Sequence, residues 1–353
     1  MNKNILITGA NAMDTKELTH ILLSRGDRVI LTYRRNSLLD LVQIRRLFDL
    51  ELNSDNGCEL DFEFCDITDQ SSVITCIKEV LSKYGSIDQL YMIAAMSNVG
   101  NSFNQKEYSI ICNGQSYYFF LEAVKNLTRD TKVYGAMTSE LAGNVPDGYL
   151  FTEESVWNPK SPYGYGKQLG GQWIKHYRDS LDCNLFCCFG LLFNHSSAAY
   201  RSLDFFCRKL TNSFARIALG KQEKVKFGFL DFWRDEGYSP FYAEQMINML
   251  ENPRGPLDYV IATGETHHAE EYLDIVGGYF NLDWKNVVEI DNNIKRPNEV
   301  VRLIGCPDKA VKDFGFRPNR ISFKNQLELM SKYDYSLEKD GKAERPDVFK
   351  LFP

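Results

Sequence analysis

Short runs of aliphatic and β-branched residues alternate with helix-like stretches through the first half of the chain, and that alternation leaves few folds open. Asn4 to Thr8, Arg28 to Tyr33, Asp61 to Cys65, Leu90 to Ala95, Lys132 to Met137 and Leu185 to Leu192 read as strands. Asp14 to Arg25 reads as a helix, and so does Gln70 to Tyr84, whose apolar residues Val73, Ile74, Ile77 and Val80 recur at helical spacing. Strands that are apolar on both sides are buried on both faces, and amphipathic helices between them cover those faces. The expected fold is α/β, a doubly wound parallel sheet of the Rossmann type that binds dinucleotides.

The pattern changes after about Asn194. Strand-like pieces shorten, aromatic residues become frequent, and Pro and Gly punctuate Gly237-Tyr238-Ser239-Pro240 and Asn252-Pro253-Arg254-Gly255-Pro256. The expected organisation is a Rossmann domain over 1–193, a smaller C-terminal α/β substrate-binding region over 194–335 and a surface tail over 336–353. With 353 residues, 44% hydrophobic and 25% charged, the chain can bury a sizeable core. Its formal net charge of −6 argues against a general nucleic-acid grip, which needs a basic surface. The nine cysteines form no metal-type spacing, and an odd count without a secretion signal favours reduced, cytosolic thiols. The five histidines form no HExxH pattern, so no metal is expected. Ile5-Leu6-Ile7 is too short for a membrane span, and the expected location is cytoplasmic, with no membrane partner.

Two constellations carry chemistry. In Tyr163-Gly164-Tyr165-Gly166-Lys167 a Tyr and a Lys four residues apart share one helix face. A nearby ammonium stabilises a phenolate, so the Tyr can act as a base towards a hydroxyl. YxxxK alone is often just a solvated helix face. Here Ser161-Pro162 precedes it, and Pro suits the first turn of a helix. The second constellation, Thr138-Ser139-Glu140, directly follows the strand ending at Met137. In a parallel sheet the C-terminal strand ends face the ligand crevice, so these polar side chains should stand there.

Together these residues resemble the active site of the GDP-mannose 4,6-dehydratases, a family of extended short-chain dehydrogenase/reductases. Further matches are Asp66-Ile67-Thr68-Asp69, Leu192-Phe193-Asn194-His195, Arg234-Asp235, Ile261-Ala262-Thr263-Gly264-Glu265 and Arg296-Pro297-Asn298-Glu299-Val300. The resemblance covers roughly residues 3 to 335. It implies an NADP-dependent hydro-lyase that turns a GDP-hexose, GDP-mannose first of all, into a 4-keto-6-deoxy sugar. In that reading Tyr163 deprotonates the C4 hydroxyl as hydride passes to NADP, and Lys167 tunes Tyr163 and holds the cofactor ribose. Thr138 hydrogen-bonds the C4 oxygen, while Glu140 removes the C5 proton and assists loss of the C6 hydroxyl. Ser97, Ser139, Asn194, Arg234, Arg296 and Glu299 hold the substrate. The cofactor falls to Gly9, Asn11, Ala12, Met13, Asp14, Asp66, Ile67, Ala95, Ser97, Tyr108, Lys167 and His195. The family also implies a homo-oligomer, dimer or tetramer, joined in part through the loop at Arg34, Arg35, Asn36 and Ser37.

The chain departs from the family around the cofactor. The pattern GxxGxxG after the first strand becomes Gly9-Ala10-Asn11-Ala12-Met13-Asp14-Thr15, with one glycine of three. Ala12 adds a methyl group, and Thr15 stands where the helix must pack closely on the strand. Ser196 occupies the place of an acidic residue after His195, Tyr200 that of an arginine, and a Pro-Arg-Arg-Gly run is lost to Ala198-Ala199-Tyr200-Arg201-Ser202. After the second strand no carboxylate awaits a ribose 2′-hydroxyl. Arg34 and Arg35 stand there instead and favour a 2′-phosphate, hence NADP. These departures leave two alternatives open: the same fold acting on another GDP-sugar as a GDP-heptose dehydratase, epimerase or reductase, or a nucleotide-sugar-binding protein with impaired cofactor use.

Overall fold

The computed structural model describes residues 2–34, 41, 43, 44, 48 and 59–353. The chain divides into two compact units. The first comprises Met1–Leu141, Ser161–Leu191 and Ala243–Tyr259. The second comprises Ala142–Lys160, Leu192–Tyr242 and Val260–Pro353.

The first unit is built on strands β1 (Asn4–Ile7), β2 (Arg28–Tyr33), β3 (Leu60–Phe64), β4 (Gln89–Met92), β5 (Lys132–Thr138) and β6 (Cys187–Leu192). Their order across the sheet is β3-β2-β1-β4-β5-β6, and a seventh strand, Tyr259–Ile261, lies beyond β6. This is the doubly wound order, with its switch point between β1 and β4. The pairs β1/β2, β1/β4, β2/β3 and β4/β5 are parallel. Ile5, Leu6 and Ile7 of the central strand are wholly buried, as an apolar run covered on both faces requires. The six strands and two helices anticipated from the sequence are all present within a few residues. The seventh strand carries too short an apolar run to be told from its surroundings.

Helices α1 (Met13–Ser24), α2 (Gln70–Tyr84), α3 (Ser116–Leu127) and α4 (Pro162–Asp179) belong to this unit. Local chemistry sets their ends. Asp69 caps α2 by accepting from Ser71 N at 2.9 Å, and Gly85 ends it in the left-handed region at φ 81°. Ser161 caps α4 through Gly164 N at 3.1 Å, with Pro162 in the first turn.

Before α3 the chain forms a π-helical turn, Ile111–Gln115, and α4 packs against it closely. Glycines make the approach possible. A Cβ on Gly114 would lie 2.7 Å from the Gly166 carbonyl oxygen. One on Gly166 would lie 2.9 Å from Asn113 Cβ, and one on Gly170 would lie 2.7 Å from the Tyr117 ring. Gly166 and Gly170 are one helical turn apart and form a single groove.

The second unit contains strands β7 (Asn194–Ser196) and β8 (Glu236–Tyr238), paired in parallel, and a three-stranded sheet ordered His267–His268, Trp233–Arg234, Arg302–Leu303. Helices α5 (Phe206–Ala218), α6 (Ala269–Phe280) and α7 (Phe323–Asp340) pack on one another. Arg208 of α5 and Asp334 of α7 make an almost wholly buried ion pair at 2.7 Å, and Asp334 also accepts from Thr211 Oγ1 at 2.6 Å. Asp235 is wholly buried. Its carboxylate accepts from Thr263 N (2.8 Å), Thr263 Oγ1 (2.7 Å), Gly264 N (3.0 Å) and Gly305 N (3.3 Å). One side chain thus ties three loops together. The last residues fold back onto this unit: Val348 is buried, the Phe349 ring meets Phe241 edge-on at 5.6 Å, and Arg345 lies over Tyr200. Among the described residues no helix is long and apolar enough to cross a membrane.

The glycine seam generates a test. Gly114→Ala forces a methyl group against backbone, which cannot move aside as a side chain would. It is expected to lower unfolding stability by about 1–3 kcal/mol, read by urea denaturation. An unchanged midpoint would contradict the close approach.

Candidate active site

Begin at the turn after β1. Gly9 sits at φ +83°, and a Cβ there would stand 3.0 Å from both Cα and Cβ of Ala94. Only glycine passes between β1 and the end of β4. Thr8 locks the two strand ends together by accepting from Ile93 N and Ala94 N, each at 2.9 Å. Gly9 N and Ala10 N donate to Thr32 Oγ1 and O, at 3.1 and 2.8 Å. Helix α1 then starts after Ala12, which offers no side-chain cap, and a helix N-terminus favours an anion. The glycine-to-Thr15 change is absorbed by packing. Thr15 is wholly buried, and its hydroxyl donates to Thr8 O at 3.3 Å. Ala12 is half-buried at the loop, Asn11 is exposed, Met13 is buried, and Asp14 lies in the first turn of α1.

The remaining residues anticipated for a cofactor gather along the same edge. Asp66 follows β3, with Oδ1 accepting from Thr68 N (3.0 Å) and Thr68 Oγ1 (2.7 Å); Ile67 beside it is buried. Arg34 is exposed after β2, and its guanidinium donates to Tyr108 Oη at 2.6 Å. Arg35, Asn36 and Ser37 lie outside the described residues. Ala95 is half-buried and Ser97 exposed in the segment following β4. Asn113 of the π-turn clamps this segment, accepting from Met96 N at 3.1 Å and donating to Met96 O at 3.3 Å.

Thr138 ends β5, and Ser139 and Glu140 continue into the 3-10 turn Ser139–Leu141. All three are buried, and Glu140 N donates to Thr138 Oγ1 at 3.3 Å. Helix α4 packs on both β5 and this turn, which brings the Tyr163–Lys167 face to the same strand end. Tyr163 is 8% and Lys167 2% exposed. The Lys167 ammonium donates to Ala136 O at 2.7 Å and to Tyr117 Oη at 3.4 Å, and Tyr117 Oη donates to Ala136 O at 3.0 Å. Burial pulls the Lys167 pKa down to about 8, against a smaller upward pull from Cys112 and Asp14. Burial raises the Tyr117 phenol, and Tyr163 adds to the rise.

Asn113 and Tyr117 are the functional neighbours that the sequence reading missed. The available signal was the glycine content of α4. Glycine costs a helix about 1 kcal/mol per residue, so Gly166, Gly170 and Gly171 in one helix announce a partner pressed against them.

In the second unit, Asn194 and His195 stand on β7. His195 Nδ1 is 2.7 Å from Phe193 O. A carbonyl only accepts, so Nδ1 carries the proton and Nε2 is the acceptor of the neutral ring. The ring stacks on Tyr242 at 4.5 Å. Arg234 is engaged with backbone: Nη1 donates to Trp233 O (2.9 Å) and Val301 O (3.0 Å), and Nη2 to Val300 O (2.7 Å). It therefore steadies the segment carrying Arg296 and Glu299, where Glu299 accepts from Arg296 N at 2.9 Å. Tyr200 is buried under Arg345, and the Arg201 guanidinium lies 3.7 Å over the Phe205 ring.

Strand order, glycine turn and buried Tyr-x-x-x-Lys helix define a short-chain dehydrogenase/reductase of the extended kind. The profile described as GDP-mannose 4,6 dehydratase matches residues 6–330. GDP-mannose 4,6 dehydratase 2 of Arabidopsis thaliana is 35% identical, over 97% of this chain and 89% of the plant protein. The human GDP-mannose 4,6 dehydratase is 32% identical, over 94% of this chain and 91% of its own. The dTDP-glucose 4,6-dehydratase of Bacillus anthracis, solved with NAD, superposes with a TM-score of 0.75 at 16% identity, over 96% and 98% of the two chains. The chain belongs to the GDP-mannose 4,6 dehydratase family.

Burial of a charged Lys167 has a measurable consequence. With its folded pKa below the unfolded value of 10.5, the ammonium destabilises the fold fully below about pH 8, and the cost fades as pH rises from about 8 to 10.5. Each pH unit of that window corresponds to about 1.4 kcal/mol. Lys167→Met should therefore raise stability at pH 7 while removing activity, and the gain should shrink towards pH 10. A Met variant less stable than wild type at pH 7 would show that the hydrogen bonds to Ala136 O and Tyr117 outweigh the burial.

Proposed function

We propose that the chain dehydrates a GDP-hexose, GDP-mannose in the first instance, to the GDP-4-keto-6-deoxy sugar. The observation that carries the proposal is the gathering of Thr138, Glu140, Tyr163 and Lys167 at the C-terminal end of β5, all buried. The names of the family's curated members support the substrate.

A nicotinamide cofactor fits the first unit, because the Gly9 cradle leaves no room for a Cβ and α1 begins without a side-chain cap. Gly9, Asn11, Ala12, Met13 and Asp14 would hold its pyrophosphate; Arg34, Asp66, Ile67, Ala95, Ser97 and Tyr108 would hold its adenosine and linking ribose. When bound, the cofactor accepts hydride from C4 of the sugar and returns it at C6. Its 2′-phosphate form is the better match to Arg34, which faces no competing carboxylate from its own strand end.

The chain's own residues then divide the proton transfers. Tyr163 takes the proton of the C4 hydroxyl, with the Lys167 ammonium one helical turn away favouring the phenolate, and gives a proton back to C5 when hydride arrives at C6. Lys167 also contacts the cofactor ribose, and its anchorage on Ala136 O fixes that position. Thr138 donates its hydroxyl to the C4 oxygen. Glu140 removes the C5 proton, made acidic by the C4 ketone, and delivers a proton to the departing C6 hydroxyl, which leaves as water. A carboxylate suits this step because it both accepts and donates. In the second unit Asn194, Arg234, Arg296 and Glu299 would hold the GDP portion; Arg234 also donates to the carbonyls of Val300 and Val301, and Glu299 accepts from Arg296 N. The altered segment Ser196–Ser202 favours a second reading, the same chemistry on a different GDP-hexose. A homo-oligomer completes the proposal.

Incubation with GDP-mannose and NADP, followed by mass spectrometry, should yield a product lighter by one water. Tyr163→Phe should reduce that turnover by roughly 10²–10⁴-fold with the fold intact by circular dichroism. No product from wild type at saturating cofactor sinks the substrate assignment, and near-normal turnover in the Phe variant sinks the role of Tyr163. Titration calorimetry should show NADP binding more tightly than NAD. Arg34→Ala should narrow the difference by about tenfold or more, since a hydrogen bond to a charged group contributes roughly 1.5–3 kcal/mol. Equal wild-type affinities would refute the 2′-phosphate assignment.

A further inference from the structure

Strands β7 and β8 run in parallel with Glu236 opposite Asn194, Gly237 opposite His195 and Tyr238 opposite Ser196. Side chains alternate along a strand, and paired positions point the same way. Asn194, Ser196 and Glu236 therefore share one face of the ribbon, and His195 lies on the other.

That shared face holds two acceptors without a partner. Among the described residues, Asn194 Oδ1 and Glu236 Oε1 are both buried with no hydrogen bond. Burial pushes the Glu236 pKa up, and the Ser196 hydroxyl and the nearby Arg201 and Arg234 act the other way. Glu236 is 7% exposed. Native proteins rarely leave buried acceptors unpaired, and two on directly paired positions call for a common cause.

The charges around the pair limit what can meet it. A free cation is opposed by Arg201 and Arg234, and an anion by Glu236 itself. Neutral donors remain, and two acceptors on neighbouring strands suit two neighbouring donors. We infer that Asn194 and Glu236 form a paired acceptor site for a vicinal diol of the bound nucleotide sugar, with Glu236 as a specificity-determining residue. The inference rests on the GDP-sugar reading above.

The test uses the purified full chain with NADP present. GDP-mannose and GDP are titrated into wild type, Glu236→Leu and Glu236→Gln, and the Tm of each protein is measured. Glu236→Leu should weaken GDP-mannose binding by about tenfold or more without lowering the Tm, because taking a desolvated carboxylate out of the interior offsets the loss of its contact with the Ser196 hydroxyl. Glu236→Gln keeps one acceptor oxygen and should recover part of the loss. Loss for GDP-mannose alone assigns the diol to the hexose; equal loss for GDP assigns it to the ribose. Unchanged affinity for both ligands overturns the inference. So does a loss of affinity that appears only with a lowered Tm, which would mean that Glu236 serves the fold. Wild type that fails to bind GDP-mannose sinks the dehydratase reading as well, whereas wild-type binding with an unaffected Leu variant sinks this inference alone.

Discussion

The arrangement of the first unit depends on the contact between α4 and the π-turn that precedes α3. Three glycines, Gly114, Gly166 and Gly170, let two helical backbones approach until carbonyl oxygens and the Tyr117 ring fill the gap. Without that approach Lys167 could not reach Ala136 O, which it meets at 2.7 Å. The lysine is thereby held in a buried site where its ammonium is poorly solvated and its pKa falls to about 8. The same contact lays the Tyr163 turn of the helix beside the end of β5. Stability is given up at the place where chemistry is needed: glycines within a helix, a charged lysine out of water and a glutamate buried in the 3-10 turn.

The second unit is organised around a different constraint, the hydrogen-bond demand of one carboxylate. Asp235 gathers Thr263, Gly264 and Gly305 by four hydrogen bonds. Burial pushes its pKa up to about 7, and the four donors work in the opposite direction. The loops it ties carry little regular structure of their own, so a buried acceptor does for them what a strand ladder does for the sheet. Its neighbour Arg234 extends the effect by capping the carbonyls of Val300 and Val301. The anchoring of the segment before Arg302 then rests on Arg234, at the end of one short strand, and that of the Thr263 and Gly305 loops on Asp235 just after it.

The departures from the family glycine pattern prove local. Thr15 fits at a glycine position because its hydroxyl turns inward to Thr8 O. Gly9 alone has no substitute, since its φ of +83° and the 3.0 Å approach to Ala94 both exclude a side chain. After His195 the segment is held by contacts of its own: Arg201 on Phe205, Arg345 over Tyr200, and Glu236 facing Ser196 and Arg201.

The sequence alone determined the sheet and most of its strands, because apolar runs buried on both faces leave no alternative period to read. It also nominated the set Thr138, Glu140, Tyr163 and Lys167, which the fold brings to one strand end. A polar triplet directly after a strand and a Tyr–Lys pair at helical spacing are local patterns whose meaning survives without coordinates. Other features were decided only by the tertiary structure. Asn113 and Tyr117 sit in a stretch with no chemical signature, and they matter because α4 lands on them. The contacts of Arg234 with the carbonyls of Trp233, Val300 and Val301 have no signature in the sequence. Asn194 and Glu236 lie 42 positions apart and are joined only by the register of two three-residue strands. The physical reason is range: periodicity and capping are encoded within one or two turns of chain, whereas close approach, burial of charge and unpaired acceptors arise between segments that the sequence does not place side by side.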